Sequence, residues 1–269
     1  MTRVIHELER VEHRVLGALR CIDVNTGVAL NTPMTVEIPQ ARLLRNRSGL
    51  HVIHQLPALA AHEAVFDAPP ASPAQGSVQL TATVRDPAGR YLPRLAAIAL
   101  PRDPAADNAD QADSLFRPID VALFPASTAA TGANWCVLRV SVTHNTSDDA
   151  LGGALLLVRQ GNRTLARGLT DWRGEALVSV PGVPITTWSD VPGSVVVNEI
   201  TAQIIAVFDP AAGLRTSAAR VRDGREPAAL PLVDPDRLEA QRNTLPRANR
   251  AVQLSAGTNL VLSLSLALP

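Results

Sequence analysis

The chain has 269 residues, 46% of them hydrophobic but only 3% aromatic, and its 25 basic residues balance 25 acidic ones. That length allows two ordinary domains, each with a core that needs no disulfide support. The balanced charge lacks the basic footprint of a nucleic-acid binder. Every basic residue is arginine, which fits either the codon bias of a GC-rich genome or selection for planar partners of carboxylate and phosphate.

The first ten residues, Met1 to Arg10, are charged and have no apolar run. They do not read as a signal peptide, so synthesis in the cytoplasm is the expectation. Residues 3–14 read as a short helix or a strand. The longest apolar runs, such as Ala154 to Val158, are far too short for the roughly 18–20 residues of a membrane span. Cys21 and Cys136 are distant in sequence and fall in different halves, which predicts two buried, unbridged thiols.

In chain order, a strand over 15–21 is followed by a turn at Arg47-Ser48-Gly49 and an alternating strand that ends at Pro57. A β-type run over 78–85 then meets the turn Asp86-Pro87-Ala88-Gly89, and a further strand ends at Pro101. The same order recurs as a strand over 137–142, the turn Trp172-Arg173-Gly174, and a strand ending at Pro181. A run over 200–208 then meets Asp209-Pro210-Ala211-Ala212-Gly213, and Leu262 to Leu268 alternate Leu with Ser or Ala. Nearly the same interval separates Gly49 from Asp86 as Gly174 from Asp209. This is the signature of an internal duplication, with the strand ending at Pro101 matched to the closing strand at 262–269. It predicts an all-β chain in three parts: a first β-sandwich at 1–101, a linker at 102–132 and a second β-sandwich at 133–269. The linker holds one β-like patch, Ile119 to Phe124, expected to pair with an edge of either sheet. The second copy carries an insertion at about 215–250, where Asp234 caps and Pro235 opens a short helix.

The segment Leu169-Thr170-Asp171-Trp172-Arg173-Gly174-Glu175-Ala176-Leu177-Val178, with the strands at 137–142 and 154–159 before it, resembles the carboxypeptidase-regulatory-like, or transthyretin-like, seven-stranded sandwich. In that family a Thr-Asp-x-x-Gly turn introduces a core strand, and Thr170, Asp171 and Gly174 fill those places. The resemblance implies two tandem Ig-like/transthyretin-like β-sandwiches and a structural accessory role without catalysis. The first copy departs from it, with Arg45-Asn46-Arg47-Ser48-Gly49 where Thr-Asp is expected. Phrases such as Asp86 to Arg94 and Ala166 to Ala176 are also similar to accessory proteins of phage-tail-like contractile injection particles.

No nucleophile elbow, phosphate loop, dinucleotide fingerprint, His-Glu-x-x-His or Cys-x-x-Cys occurs, and no cofactor or metal is expected. His51 and His54 fall on opposite faces of a strand and cannot share one ion. His6, His13, His62 and His144 have no evident partners in the sequence. Asp107, Asp110 and Asp113 lack the alternation and turn glycine of a calcium loop, and read as a flexible acidic linker. Trp135, which opens a strand, reads as core. Trp172 and Trp188 remain as contact residues with Arg173, since Trp and Arg dominate binding hot spots. Trp172 either folds back as a lid on the sandwich end or projects outward.

The structural turns are Gly49, Asp86, Asp171, Gly174 and Asp209. The leading expectation is a non-enzymatic assembly protein that docks through sheet edges and loop tips onto protein partners in an injection particle, with a homo-oligomer as a further possibility. The alternative is a module that binds carbohydrate or a cell-surface polymer.

Overall fold

The computed structural model describes residues 15–64, 70–183, 187–188, 195–196 and 199–268. The helix or strand expected over 3–14 lies outside them. The chain is all-β. Its first half holds β1 (Gly17–Asp23), β2 (Thr35–Glu37), β3 (Arg42–Arg45), β4 (His51–Gln55), a short α1 (Ala60–Ala64), β5 (Val78–Arg85), β6 (Arg94–Leu100) and β7 (Ile119–Leu123). The second half begins with β8 (Cys136–His144), β9 (Ala150–Gly152), β10 (Leu155–Gln160), β11 (Arg163–Leu169) and β12 (Glu175–Val180). A hairpin of β13 (Thr187–Trp188) and β14 (Val195–Val196) precedes β15 (Ile200–Val207) and β16 (Leu214–Thr216). Two short helices, α2 (Ala218–Arg222) and α3 (Pro235–Ala240), then lead to β17 (Arg247–Leu254) and β18 (Asn259–Leu266).

In each half two sheets share one core. In the first, β3-β4-β1-β7 and β2-β5-β6 bury Leu19, Cys21, Ile53 and Val121 against Val84, Ile98 and Leu100. In the second, β12 and β18 flank β8, and β11-β10-β15-β17 form the other sheet. Leu138, Val140 and Leu264 there meet Leu156, Val158 and Ile204. The alternation in β18 is observed, with Leu262, Leu264 and Leu266 buried and Val261, Ser263 and Ser265 exposed.

The pairing pattern repeats, with two corrections to the expected correspondence. β1 takes β4 antiparallel on one side and β7 parallel on the other, as β8 takes β12 and β18. β5 is antiparallel to β6, as β15 is to β17. The counterpart of closing strand β18 is therefore β7, and the strand ending near Pro101 matches β17. The alternation of β6 and its Leu-Pro ending imitate those of β18, but side-chain period reports the buried face and not the neighbouring strand. The β-like patch of the expected linker at 102–132 takes up a sheet edge as expected, as β7 beside β1 in the first half. The linker's acidic part is a folded loop: Leu115 N–H donates to Asp103 O at 2.7 Å, and the Arg102 side chain donates to the carbonyls of Ser114 and Ala112. One strand also changes layer between the halves, since β3 joins β4 whereas β11 joins β10.

The insertion welds the halves together. α3 forms where expected, its Asp234 carboxylate accepting from the N–H groups of Asp236 and Arg237 and Pro235 opening the helix. α2 is an addition to the expected elements, its N-terminus capped by the Ser217 side chain, which accepts from Arg220 N–H. Val233 and Leu238 pack with Phe124 of the first half and with Leu155 and Leu157 on the outer face of β10. Arg94 at the start of β6 is only 1% exposed. Its guanidinium donates to Ala122 O at 2.7 Å, to Leu95 O at 2.9 Å and to Asp236 at 2.5 Å, with Asp234 at 3.4 Å. The face of Phe124 lies 6.0 Å from its central carbon. Beside it, Leu95 N–H donates to Val233 O, and the Asn25 side chain both donates to Arg167 O and accepts from Arg167 N–H, at 3.0 and 2.8 Å.

Replacing Arg94 by Met leaves Asp236 solvated and Asp234 in its capping role but strands the Ala122 and Leu95 carbonyls. The expected loss is about 2–4 kcal/mol, with the single calorimetric transition broadening or splitting as the halves uncouple. An unchanged single transition would contradict the weld. Cys21 and Cys136 belong to separate cores, and burial pushes the Cys21 thiol up to about 11. Both thiols should titrate in denaturant without reductant and neither in the native protein. Because the folded state holds the Cys21 proton more tightly, that thiol's stabilising contribution is present below the ordinary value of about 8.5 and is lost as pH climbs toward about 11.

Candidate functional site

The turn ahead of β12 is fixed from several directions. Thr170 is buried, its hydroxyl donating to Leu151 O at 2.6 Å and accepting from Ala154 N–H at 2.8 Å. The Asp171 carboxylate accepts from the N–H groups of Arg173 and Glu175 and from the Ser127 hydroxyl. Gly174 sits at a φ of +70°, and a Cβ there would lie 2.5 Å from Val142 O. Gly49 sits at the matching point of the first half at a φ of +80°. There Asn46 plays the part of Asp171: its N–H donates to Leu50 O and its Oδ1 accepts from Leu50 N–H, both at 2.9 Å. The missing Thr-Asp of the first copy is thus replaced by an asparagine that offers the same oxygen.

Asp86 builds a related turn, accepting from Ala88 and Arg90 N–H and from the Arg90 side chain. Burial opposes its ionisation, but these hydrogen bonds together hold the carboxyl below the ordinary range. Asp209 accepts from Ala211 N–H at 2.9 Å in a turn elsewhere on the second half.

The Asp86 and Asp171 turns, the connector at Ala126 to Thr128 and the insertion at Leu230 and Pro231 enclose a cleft of about 480 Å³ between the halves. Trp172 and Arg173 line it. Trp172 is half-buried and forms a wall of the cleft, a third placement beside the lid and the outward projection. The Arg173 guanidinium lies 6.0 Å from its ring centroid. That guanidinium also pairs with Asp171 and Glu175 at 3.0 Å and donates to the Ser127 hydroxyl. Trp188 lies in β13, but its side chain is outside the described residues. Trp135 is half-buried rather than in the core. Its ring covers Gly132, where a Cβ would come within 2.7 Å, and it lines a second cleft of about 580 Å³.

Tyr91, which the sequence reading passed over, lines both clefts. Its hydroxyl donates to Asp23 at 3.2 Å, and burial together with the Asp23 charge pushes the phenol up to about 12. The signal was present in the sequence: it is the chain's one tyrosine and it directly follows the Asp86 turn.

Among the described residues the histidines sit away from these two clefts. His51 is buried and His54 half-buried on β4, on opposite faces, while His62 is buried in α1 and His6 and His13 lie outside the described residues. His144 contacts Ser147 through Nδ1 at 2.9 Å. Arg215 holds both Ser147 and Asp149, so the carboxylate orients the arginine and not the imidazole, and the set locks a turn. Among the described residues no three potential ligands cluster as a metal site, and no helix is long and apolar enough to cross a membrane.

Compared with known protein families, curated proteins and solved structures, the chain matches none.

The two equivalent glycines should respond unequally. Gly49→Ala meets its nearest atom at 3.5 Å and should cost only the strain of the left-handed conformation, about 1–2 kcal/mol. Gly174→Ala adds a backbone clash and should cost about 3 kcal/mol or more, measured by denaturant unfolding. Equal losses would mean that the turn ahead of β12 has room to relax.

Proposed function

We propose that this chain is a non-enzymatic assembly module. In this reading two carboxypeptidase-regulatory-like sandwiches, held as one rigid body, seat an apolar segment of a partner protein in the cleft between them. The partner complex is of the contractile-injection type that the sequence resembles. One observation carries the reading: the cleft presents apolar surface from Pro87, Leu92, Pro93, Trp172, Leu230 and Pro231, while the carboxylates of its two turns are already engaged, leaving Arg85 and Glu226 as its exposed charges. Asp86 and Asp171 satisfy the backbone of their own turns, and Arg173 is tied to Asp171, Glu175 and Ser127.

A sugar site needs polar side chains free to meet hydroxyl groups, because an unpaired group on either side costs about 1–3 kcal/mol. The aspartates that wall this cleft are not free to do so, and the apolar share of its lining favours a protein segment over carbohydrate. A half-buried tryptophan in a groove of this size suits a hot-spot anchor.

Trp172→Ala tests the proposal. The expected stability loss is about 1 kcal/mol, a fall of a few degrees in Tm. Tagged wild-type protein, expressed in its native host, should sediment with a high-molecular-weight particle, and the variant should remain in the light fractions. Unchanged sedimentation of the variant would remove the cleft as the docking site. Oligosaccharide binding that depends on Trp172 would decide for the carbohydrate reading instead.

A further inference from the structure

Sheet edges invite further strands, and folded proteins block them with charge, proline, bulges, short length or a covering segment. Among the described edge strands, β3 is short and bulged and carries Arg42 and Arg45. β11 carries Arg163 and Arg167, the latter capped by Asn25, and β17 carries Arg247 and Arg250. β6 is covered through the Leu95–Val233 bond. β7, which occupies the closing position in the first half, lies between Pro118 and Pro125 and carries Asp120 paired with Arg20 at 2.6 Å.

β18 occupies the same position in the second half and, among the described residues, has none of these guards. Its eight residues, Asn-Leu-Val-Leu-Ser-Leu-Ser-Leu, contain no charge, glycine or proline, and Val261 is 80% exposed. Its free side can be assigned. Val137 N–H donates to Thr258 O and Asn145 N–H to Leu266 O, so the even-numbered residues turn their backbone toward β8. Asn259, Val261, Ser263 and Ser265 therefore present both N–H and C=O outward, and no described strand pairs with them.

We propose that β18 is a homodimer edge, at which two copies of this chain pair their β18 strands antiparallel about a two-fold axis at Ser263. The occupant follows from self-complementarity. An isologous contact sets a strand against itself, which in a charged strand brings like charges together. β18 has none to oppose. Centred on Ser263, the register sets Leu262 opposite Leu264 and Val261 opposite Ser265, so the buried leucines of both copies stay on the same face of one continuous sheet. This surface is distinct from the Trp172 cleft, and the two proposals stand or fall separately.

The test uses the full chain. Light scattering over a wide concentration range should give the mass of two chains for wild type and of one for Val261→Lys, with unchanged circular dichroism because that side chain is solvated. Ser263→Cys should oxidise to a covalent dimer, since opposed residues of this kind have Cα atoms about 5.5 Å apart, within reach of a disulfide. Ser265→Cys, displaced from the axis, should not, and the buried Cys21 and Cys136 supply no competing thiol. A single-chain mass for wild type at every concentration overturns the proposal and leaves the edge to a strand of another protein. A dimer that survives Val261→Lys, or that crosslinks equally through Ser265→Cys, overturns it as well.

Discussion

The architecture turns on a charge placed where water cannot reach it. Arg94 begins a strand of the first half, yet its guanidinium is satisfied by the Ala122 carbonyl of β7 and by the carboxylates of the second half's insertion. A buried cation without partners is far costlier than any contact it displaces. The insertion is thereby obliged to sit against β6, where its Val233 and Leu238 complete the apolar cluster over β10. The two cores, each able to close by itself, become one body because this arginine has nowhere else to spend its donors. Asp234 serves twice, as cap of α3 and as partner of Arg94, so helix formation and docking are a single event.

That docking creates the cleft. Two aspartate turns, one from each half, face each other across a gap bridged by the connector, and Ser127 on the connector bonds to both Asp171 and Arg173. Since Asp86, Asp171 and Arg173 close their own turns, what those turns display is largely apolar. Three of the chain's eight aromatic residues, Tyr91, Trp135 and Trp172, line the two clefts on either side of the same connector.

Much of this could be read from residue order. The alternation of β18 fixed its buried face, and Asp234-Pro235 located α3, because period and capping are local properties. Strand partners are not local, which is why β6 reads as the counterpart of β18 and why the β7 patch, expected at an edge of one sheet or the other, carries no sign of which sheet it joins. The cleft was illegible for the same reason: Tyr91 and Trp172 are far apart in sequence and meet only once Arg94 has brought the halves together. One sign of that meeting was available. The unbroken run Ala154 to Val158 lacks the alternation of a strand with a wet side, as a strand buried on both faces must. Leu156 and Val158 face the second core while Leu155 and Leu157 face the first half's side of the weld.

The contact between Asn25 and Arg167 has a geometric meaning beyond its energy. A carboxamide is planar and carries one donor and one acceptor side by side, so it engages the N–H and C=O of a single edge residue as a neighbouring strand would, without adding a strand. An aspartate there would lack the donor, a serine would present both functions on one atom, and a glutamine would move the fork one methylene outward. The side chain therefore acts as an angular gauge: it fixes the direction in which the second half leaves the first as well as their separation, and it gives two otherwise autonomous sheets a common frame of orientation.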